Sequence, residues 1–165
     1  MSNSVRQPLS FDTSATGQPP ASGPSMQYTR LGRSGLKISK VLLGAMSFGD
    51  PTLDTAGSWV QPASTALPIL KYAFDRGINT WDTADFYGQG SSEAIIGQAI
   101  REYSIPREKL VLMTKVFFGV AEDLRSGEGG QVDTGRAMVN DGVMVNRVGL
   151  SRKHIFDAVE ESVKR

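Results

Sequence analysis

Residues 77–88 read Gly77-Ile78-Asn79-Thr80-Trp81-Asp82-Thr83-Ala84-Asp85-Phe86-Tyr87-Gly88. Residues 78–83 suit a short strand, and the densest polar cluster of the chain, 81–88, stands at its C-terminal end. Before the strand, Leu67, Leu70, Ala73 and Phe74 recur at helical spacing, and Gly77 stands where a helix C-cap is wanted. After it, Ile95, Ile96, Ala99, Ile100 and Tyr103 form a second apolar stripe at helical spacing, which Ser91 or Ser92 can cap. The decisive stretch is therefore a strand held between two helices.

Working outward, 41–46 is a continuous apolar run, Val-Leu-Leu-Gly-Ala-Met, as expected of a strand buried on both faces. Ahead of it, 28–31 and 36–39 are strand-like, and Gly32-Arg33-Ser34-Gly35 supplies turn chemistry for a hairpin. Toward the C-terminus, 110–116 reads as a third buried strand. Residues 117–150 carry seven glycines and no sustained periodicity, which predicts a long loop. Ser151 is placed to cap a last helix with Ile155, Ala158, Val159, Ser162 and Val163 on one face. A hairpin followed by three strand–helix units means an α/β fold with parallel strands and right-handed crossovers. A doubly wound sheet and a closed eight-stranded barrel both begin this way, and periodicity does not choose between them.

Composition narrows the function. Of the 165 residues, 39% are hydrophobic and 21% charged, enough for a buried core, and the net charge is +1. With no basic stripe and no acidic tail, neither nucleic acid nor a membrane surface is an expected partner. The absence of cysteine removes disulfides, thiolate metal sites and a cysteine nucleophile, and the single histidine, His154, cannot build a zinc site unaided. No apolar run resembles a secretory signal or a membrane span, so a cytoplasmic protein is expected. Residues 1–26, rich in Ser, Pro, Gly, Gln and Thr, read as a disordered leader ahead of a domain over 27–165.

Ligands in parallel α/β proteins bind at the carboxyl ends of the strands. Asp82 and Tyr87 stand at the end of the second strand, and Lys115 at the equivalent end of the third. A phenol has a pKa of ~10 in water and exchanges protons poorly at neutral pH. A neighbouring ammonium favours the phenolate, and a carboxylate keeps that ammonium charged and oriented. A phenol so tuned can give its proton to a carbonyl oxygen as a hydride reaches the carbon, and the hydride must come from a cofactor. Taken singly, these residues have ordinary explanations: a turn-capping Asp82, a solvent-reaching Lys115, a Tyr87 packed at a loop base. Gly88-Gln89-Gly90-Ser91-Ser92-Glu93 invites a dinucleotide-binding reading, but Glu93 replaces the third glycine and would sit badly beside a pyrophosphate. Trp59 suits either a pocket for bulky carbonyls or a loop anchor, and His154 reads as a first-turn helix residue without function.

The segments 28–39 (Tyr-Thr-Arg-Leu-Gly-Arg-Ser-Gly-Leu-Lys-Ile-Ser), 44–49 (Gly-Ala-Met-Ser-Phe-Gly), 79–88 and 113–115 (Met-Thr-Lys) resemble aldo-keto reductases. The likeness is to fungal members of the aryl-alcohol dehydrogenase and versiconal hemiacetal acetate reductase type. It runs from about Met26 to Arg165. The resemblance implies the N-terminal part of a (β/α)8 TIM barrel with an N-terminal β-hairpin, stopping after about three β/α units. It implies an NADP(H)-dependent oxidoreductase acting on a small carbonyl or alcohol substrate, aromatic ones included. Of the family's Asp, Tyr, Lys and His tetrad, three map onto Asp82, Tyr87 as proton donor, and Lys115. The histidine has no counterpart, and His154 does not fill its place. Ala45, Met46 and Ser47, with Asp82, would line the nicotinamide side of the pocket.

A barrel begun but not closed presents open strand edges, so self-association through them and little carbonyl reduction by the chain alone are expected. The alternative is a non-catalytic module that docks on a full-length relative, for which the retention of Asp82, Tyr87 and Lys115 together would be unnecessary.

Overall fold

The computed structural model describes residues 25–52, 59–120, 125–126, 131–132 and 135–165. The expected leader lies outside them apart from its last two residues. Strands β1 (Tyr28–Arg30) and β2 (Lys37–Ser39) form the anticipated antiparallel hairpin. Strand β3 (Leu43–Gly44), helix α1 (Ala63–Asp75), strand β4 (Thr80–Asp82), helix α2 (Ser91–Glu102) and strand β5 (Val111–Met113) follow. The sheet is parallel in the order β3-β4-β5, with Gly44 opposite Asp82 and Asp82 opposite Met113. Three strands thus end at one level and make a common rim.

Side chains alternate along a strand, so Thr80 and Asp82 project to one face of β4 and Trp81 to the other. Trp81 has no exposed surface, and its indole N–H donates to the Ile78 carbonyl at 3.0 Å. Around it, Leu67 and Leu70 of α1, Ile95, Ile96 and Ala99 of α2, and Ile105 and Leu110 form the core. Both helices therefore cover the Trp81 face. Gly77, at φ 83, donates its backbone N–H to Phe74 and ends α1 in the left-handed conformation expected of it. The hairpin docks at the start of β4, where the Ser39 N–H donates to Asn79 Oδ1 at 2.8 Å and the Tyr28 hydroxyl to the Gly77 carbonyl at 2.8 Å. That end is opposite the rim.

Several expectations need correction. The run 41–46 is not buried on both faces: only residues 43–44 form strand, and Val41, Leu42 and Met46 are exposed. β3 is an edge strand with a single neighbour among the described residues, and the helices cover one face. Neither Ser91 nor Ser92 caps α2, whose N-cap is Gly90 at φ 88; both hydroxyls are bonded elsewhere. Helix α3 (Arg152–Lys164) is capped as anticipated, Ser151 Oγ accepting from the His154 N–H at 3.1 Å. Its apolar stripe is less buried than its spacing suggests. Ile155, Ala158 and Ser162 are half-buried, while Val159 is exposed and Val163 is 81% exposed. Val159 and Val163 line an open cavity of ≈ 510 Å³, with Ile96, Ile100 and Leu112 on its other walls, so the stripe meets space rather than a packed layer.

Residues 117–150 are not structureless. Strands β6 (Arg125–Ser126) and β7 (Gln131–Val132) pair antiparallel. Short helical turns at Arg136–Met138 and Gly142–Met144 bring Ala137, Met144 and Val148 into a small second cluster against Phe86. The segment thereby packs beside the rim. Among the described residues, no helix is long and apolar enough to cross a membrane.

Candidate active site

Asp82 is the last residue of β4, and Lys115 lies two residues beyond Met113, its partner on β5. The two side chains meet: Lys115 Nζ donates to Asp82 Oδ2 at 2.7 Å and to the Thr83 carbonyl at 2.8 Å. Tyr87 comes back to the same place through a turn in which its N–H donates to the Ala84 carbonyl. Lys115 Nζ then stands 5.0 Å from the centre of the Tyr87 ring. The three residues named from the sequence are therefore gathered at one rim.

Desolvation pulls the Lys115 ammonium pKa down, but the hydrogen bond to Asp82 and its negative charge, with the nearby Tyr87, outweigh it, so the net shift is upward. The lysine is held as a cation. Both members of the Asp82–Lys115 pair are a third or more exposed, where an ion pair is worth ~0–1 kcal/mol. Its consequence is placement rather than stability.

The chain turns sharply after Tyr87. Gly88, Gln89 and Gly90 have φ of 54°, 53° and 88°, three left-handed residues in succession. A Cβ on Gly88 would fall 2.3 Å from Ser91 Oγ, so a side chain is disfavoured there on two counts. Gln89, with a side chain, bears a cost of about 1–2 kcal/mol for the same conformation. Backbone strain of this kind is concentrated at functional sites.

The stretch after β3 completes the rim. Ala45 is fully buried; its N–H donates to the Asp82 carbonyl at 2.8 Å and its carbonyl accepts from Ser92 Oγ at 2.8 Å. Met46 is exposed and Ser47 half-buried. Of these three, Met46 is the side chain most open to a ligand. Trp59 is 41% exposed, at the border of residues 53–58, which lie outside the description. His154 is buried, with Nδ1 2.7 Å from the Gly149 carbonyl, and lines a small cavity with Asp85. It belongs to the base of α3.

Sequence reasoning passed over a polar layer behind the rim. Ser92 Oγ lies 3.0 Å from Thr83 Oγ1, and Glu93 accepts from Thr114 Oγ1 at 2.6 Å and from Arg165 Nη1 at 2.5 Å. Asp85 is 3% exposed, and its carboxyl is pushed up to about 6, first by burial and then by Glu93. The Phe86 N–H, His154 and Arg165 pull it partly back. A signal was present: Ser92 and Glu93 stand three or four residues before Ile95, Ile96 and Gly97, which places both on the inward side of α2. A serine and an acid on an apolar stripe call for buried partners.

Comparison with known proteins identifies the family. The model of the aldo/keto reductase family matches residues 40–165. Versiconal hemiacetal acetate reductase of Aspergillus parasiticus is 48% identical over 140 residues, covering 85% of this chain and 39% of that protein. A Schizosaccharomyces pombe protein of the aryl-alcohol dehydrogenase type is 45% identical over 139 residues, 84% of this chain and 39% of that one. Among solved structures, the holo form of an aldo-keto reductase from Bacillus halodurans superposes with a TM-score of 0.56 at 28% identity, covering 84% of this chain and 36% of that chain. The chain belongs to the aldo/keto reductase family, and it spans about two fifths of the length of the curated relatives it matches. Its hairpin and strand–helix units are the N-terminal part of a (β/α)8 barrel, which decides the alternative that periodicity left open.

Proposed function

We propose that the rim of Asp82, Tyr87 and Lys115 serves NADP(H)-dependent reduction of an aldehyde or ketone to an alcohol, or the reverse oxidation. The observation that carries this reading is the Lys115 ammonium, bonded to Asp82 at 2.7 Å and standing over the Tyr87 ring at 5.0 Å. Tyr87 is the proton donor to the carbonyl oxygen. Lys115 offers positive charge as negative charge grows on that oxygen, and Asp82 fixes the lysine in place. The nicotinamide cofactor, when bound, supplies the hydride.

The residues present fit the nicotinamide end of such a cofactor. Met46 offers an exposed apolar surface at the rim, Ser47 a hydroxyl, and Ala45 closes the floor behind them through its bonds to Asp82 and Ser92. Residues 27–165 are read as the part of a reductase domain that holds the proton-transfer machinery. A small carbonyl substrate, aromatic or bulky, accords with the names of the relatives and with exposed Met46 and Trp59. We place the protein in the cytoplasm. The exposed Val41 and Leu42 beside β3 favour self-association through the strand edges.

The test is a chimaera in which residues 28–165 replace the matching segment of the Aspergillus parasiticus relative. The chimaera should consume NADPH with an aromatic aldehyde, dependent on Tyr87 and Lys115. A folded chimaera with no turnover on any aldehyde or ketone would refute it.

A further inference from the structure

The rim is assembled from three strand ends, and the first turn of α2 is tied to all three. Ser92 Oγ donates to the Ala45 carbonyl after β3 and meets Thr83 Oγ1 after β4, while Glu93 accepts from Thr114 Oγ1 after β5. Ser92 has no exposed surface and Glu93 is 6% exposed. Two of the tied residues are one bond or one position from Lys115, and the third is bonded to Asp82, its ion-pair partner. Thr83 gives its carbonyl to Lys115 Nζ, Thr114 precedes Lys115 in the chain, and the Ala45 N–H holds the Asp82 carbonyl.

The strands need such ties. β3 and β4 are in register over two residue pairs and β4 and β5 over three, so ladder hydrogen bonds alone fix their relative slide weakly. Arg165 Nη1 bonds to the other oxygen of Glu93, which fixes the direction in which that side chain points. We propose that Ser92 and Glu93 are positioning residues for Lys115, setting through Thr83 and Thr114 where its ammonium sits between Asp82 and Tyr87. The catalytic consequence rests on the reductase reading of the rim; the placement of the ammonium does not. Loosening either tie leaves the Trp81 core intact and lets Lys115 drift from its two acceptors.

The test uses the 165-residue chain labelled with 13C at lysine Cε, the Lys115 resonance being assigned by its loss in Lys115→Arg. The titratable groups facing this ammonium are Asp82 and Tyr87. In the unaltered chain Lys115 is expected to titrate above the ordinary lysine range. In Ser92→Ala, and separately in Glu93→Gln, its midpoint moves down toward that of the other exposed lysines. Should one variant not fold, the other decides. A Lys115 midpoint unchanged in the folded variants, with only Tm lowered, overturns the proposal and leaves the two residues as structural bonds. Failure of the reductase reading appears elsewhere, as a chimaera without turnover while Lys115 still responds to Ser92 and Glu93.

Discussion

Asp85 and Glu93 are two carboxyl groups buried in one polar layer behind the rim, 3% and 6% exposed, and the charge of Glu93 helps to raise the Asp85 carboxyl to about 6. An unfolded aspartate titrates near 3.9, so between about pH 4 and pH 6 the folded chain holds this proton more tightly than the unfolded one. Stability from Asp85 is therefore fully present below pH ~4 and is lost as pH rises through ~6. The whole effect amounts to up to ~3 kcal/mol. Denaturant unfolding of Asp85→Asn at pH 4, 5, 6 and 7 should show a smaller decline with rising pH than the unaltered chain. An identical decline would mean that another group carries it.

Gly88→Ala should destabilise by more than the ~1–2 kcal/mol of a left-handed conformation alone, because its Cβ also meets Ser91 Oγ. Gly32→Ala supplies the comparison, since Gly32 has φ 55 and open space around its Cβ position. The two differ in the clash and not in the backbone angle. Equal losses in thermal or denaturant unfolding would show that Ser91 yields freely.

Trp81 ties both helices to β4. Trp81→Ala is expected to cost about 3–5 kcal/mol, enough to unfold many domains. Trp81→Phe is the more informative variant, losing the indole bond to the Ile78 carbonyl and some volume, with an expected cost of about 1–3 kcal/mol. A measured cost below ~0.5 kcal/mol would show that this residue does not organise the core.

Much of this was legible in the chain. The polar cluster at 81–88, the Gly77 cap and the Ser151 cap each depend on local chemistry, and each stands where the residues indicate. The Asp82, Tyr87 and Lys115 cluster was legible because strand ends in a parallel sheet share one rim. What escaped depended on partners distant in sequence. Ser91 and Ser92 look like caps to any local rule, yet their hydroxyls are taken by Gly88, Ala45 and Thr83, and Gly90 opens the helix instead. Glu93 read as a flaw in a phosphate-binding motif and is a bond to Thr114 and Arg165. The α3 stripe had the right spacing, but spacing does not say what lies opposite, and Val159 and Val163 face a cavity. The docking of Met144 and Val148 on Phe86 had no periodic trace in a glycine-rich segment.

Lys115→Met in the chimaera should lower kcat by ~10²-fold or more, through loss of charge beside the developing oxyanion. Asp82→Asn should do less, because Lys115 keeps the Thr83 carbonyl as a second acceptor. Steady-state rates of NADPH oxidation read both. The reverse ranking would place the main role on the carboxylate.

The most direct measurement is the turnover of Tyr87→Phe in the chimaera, at saturating NADPH and an aromatic aldehyde, beside the unaltered chimaera. Proton transfer by a placed side chain contributes ~10²–10⁴-fold, so kcat should fall by that factor while NADPH binding persists. If Tyr87→Phe keeps its rate within a few-fold, the phenol beside Lys115 is not the proton donor and the account of this rim fails.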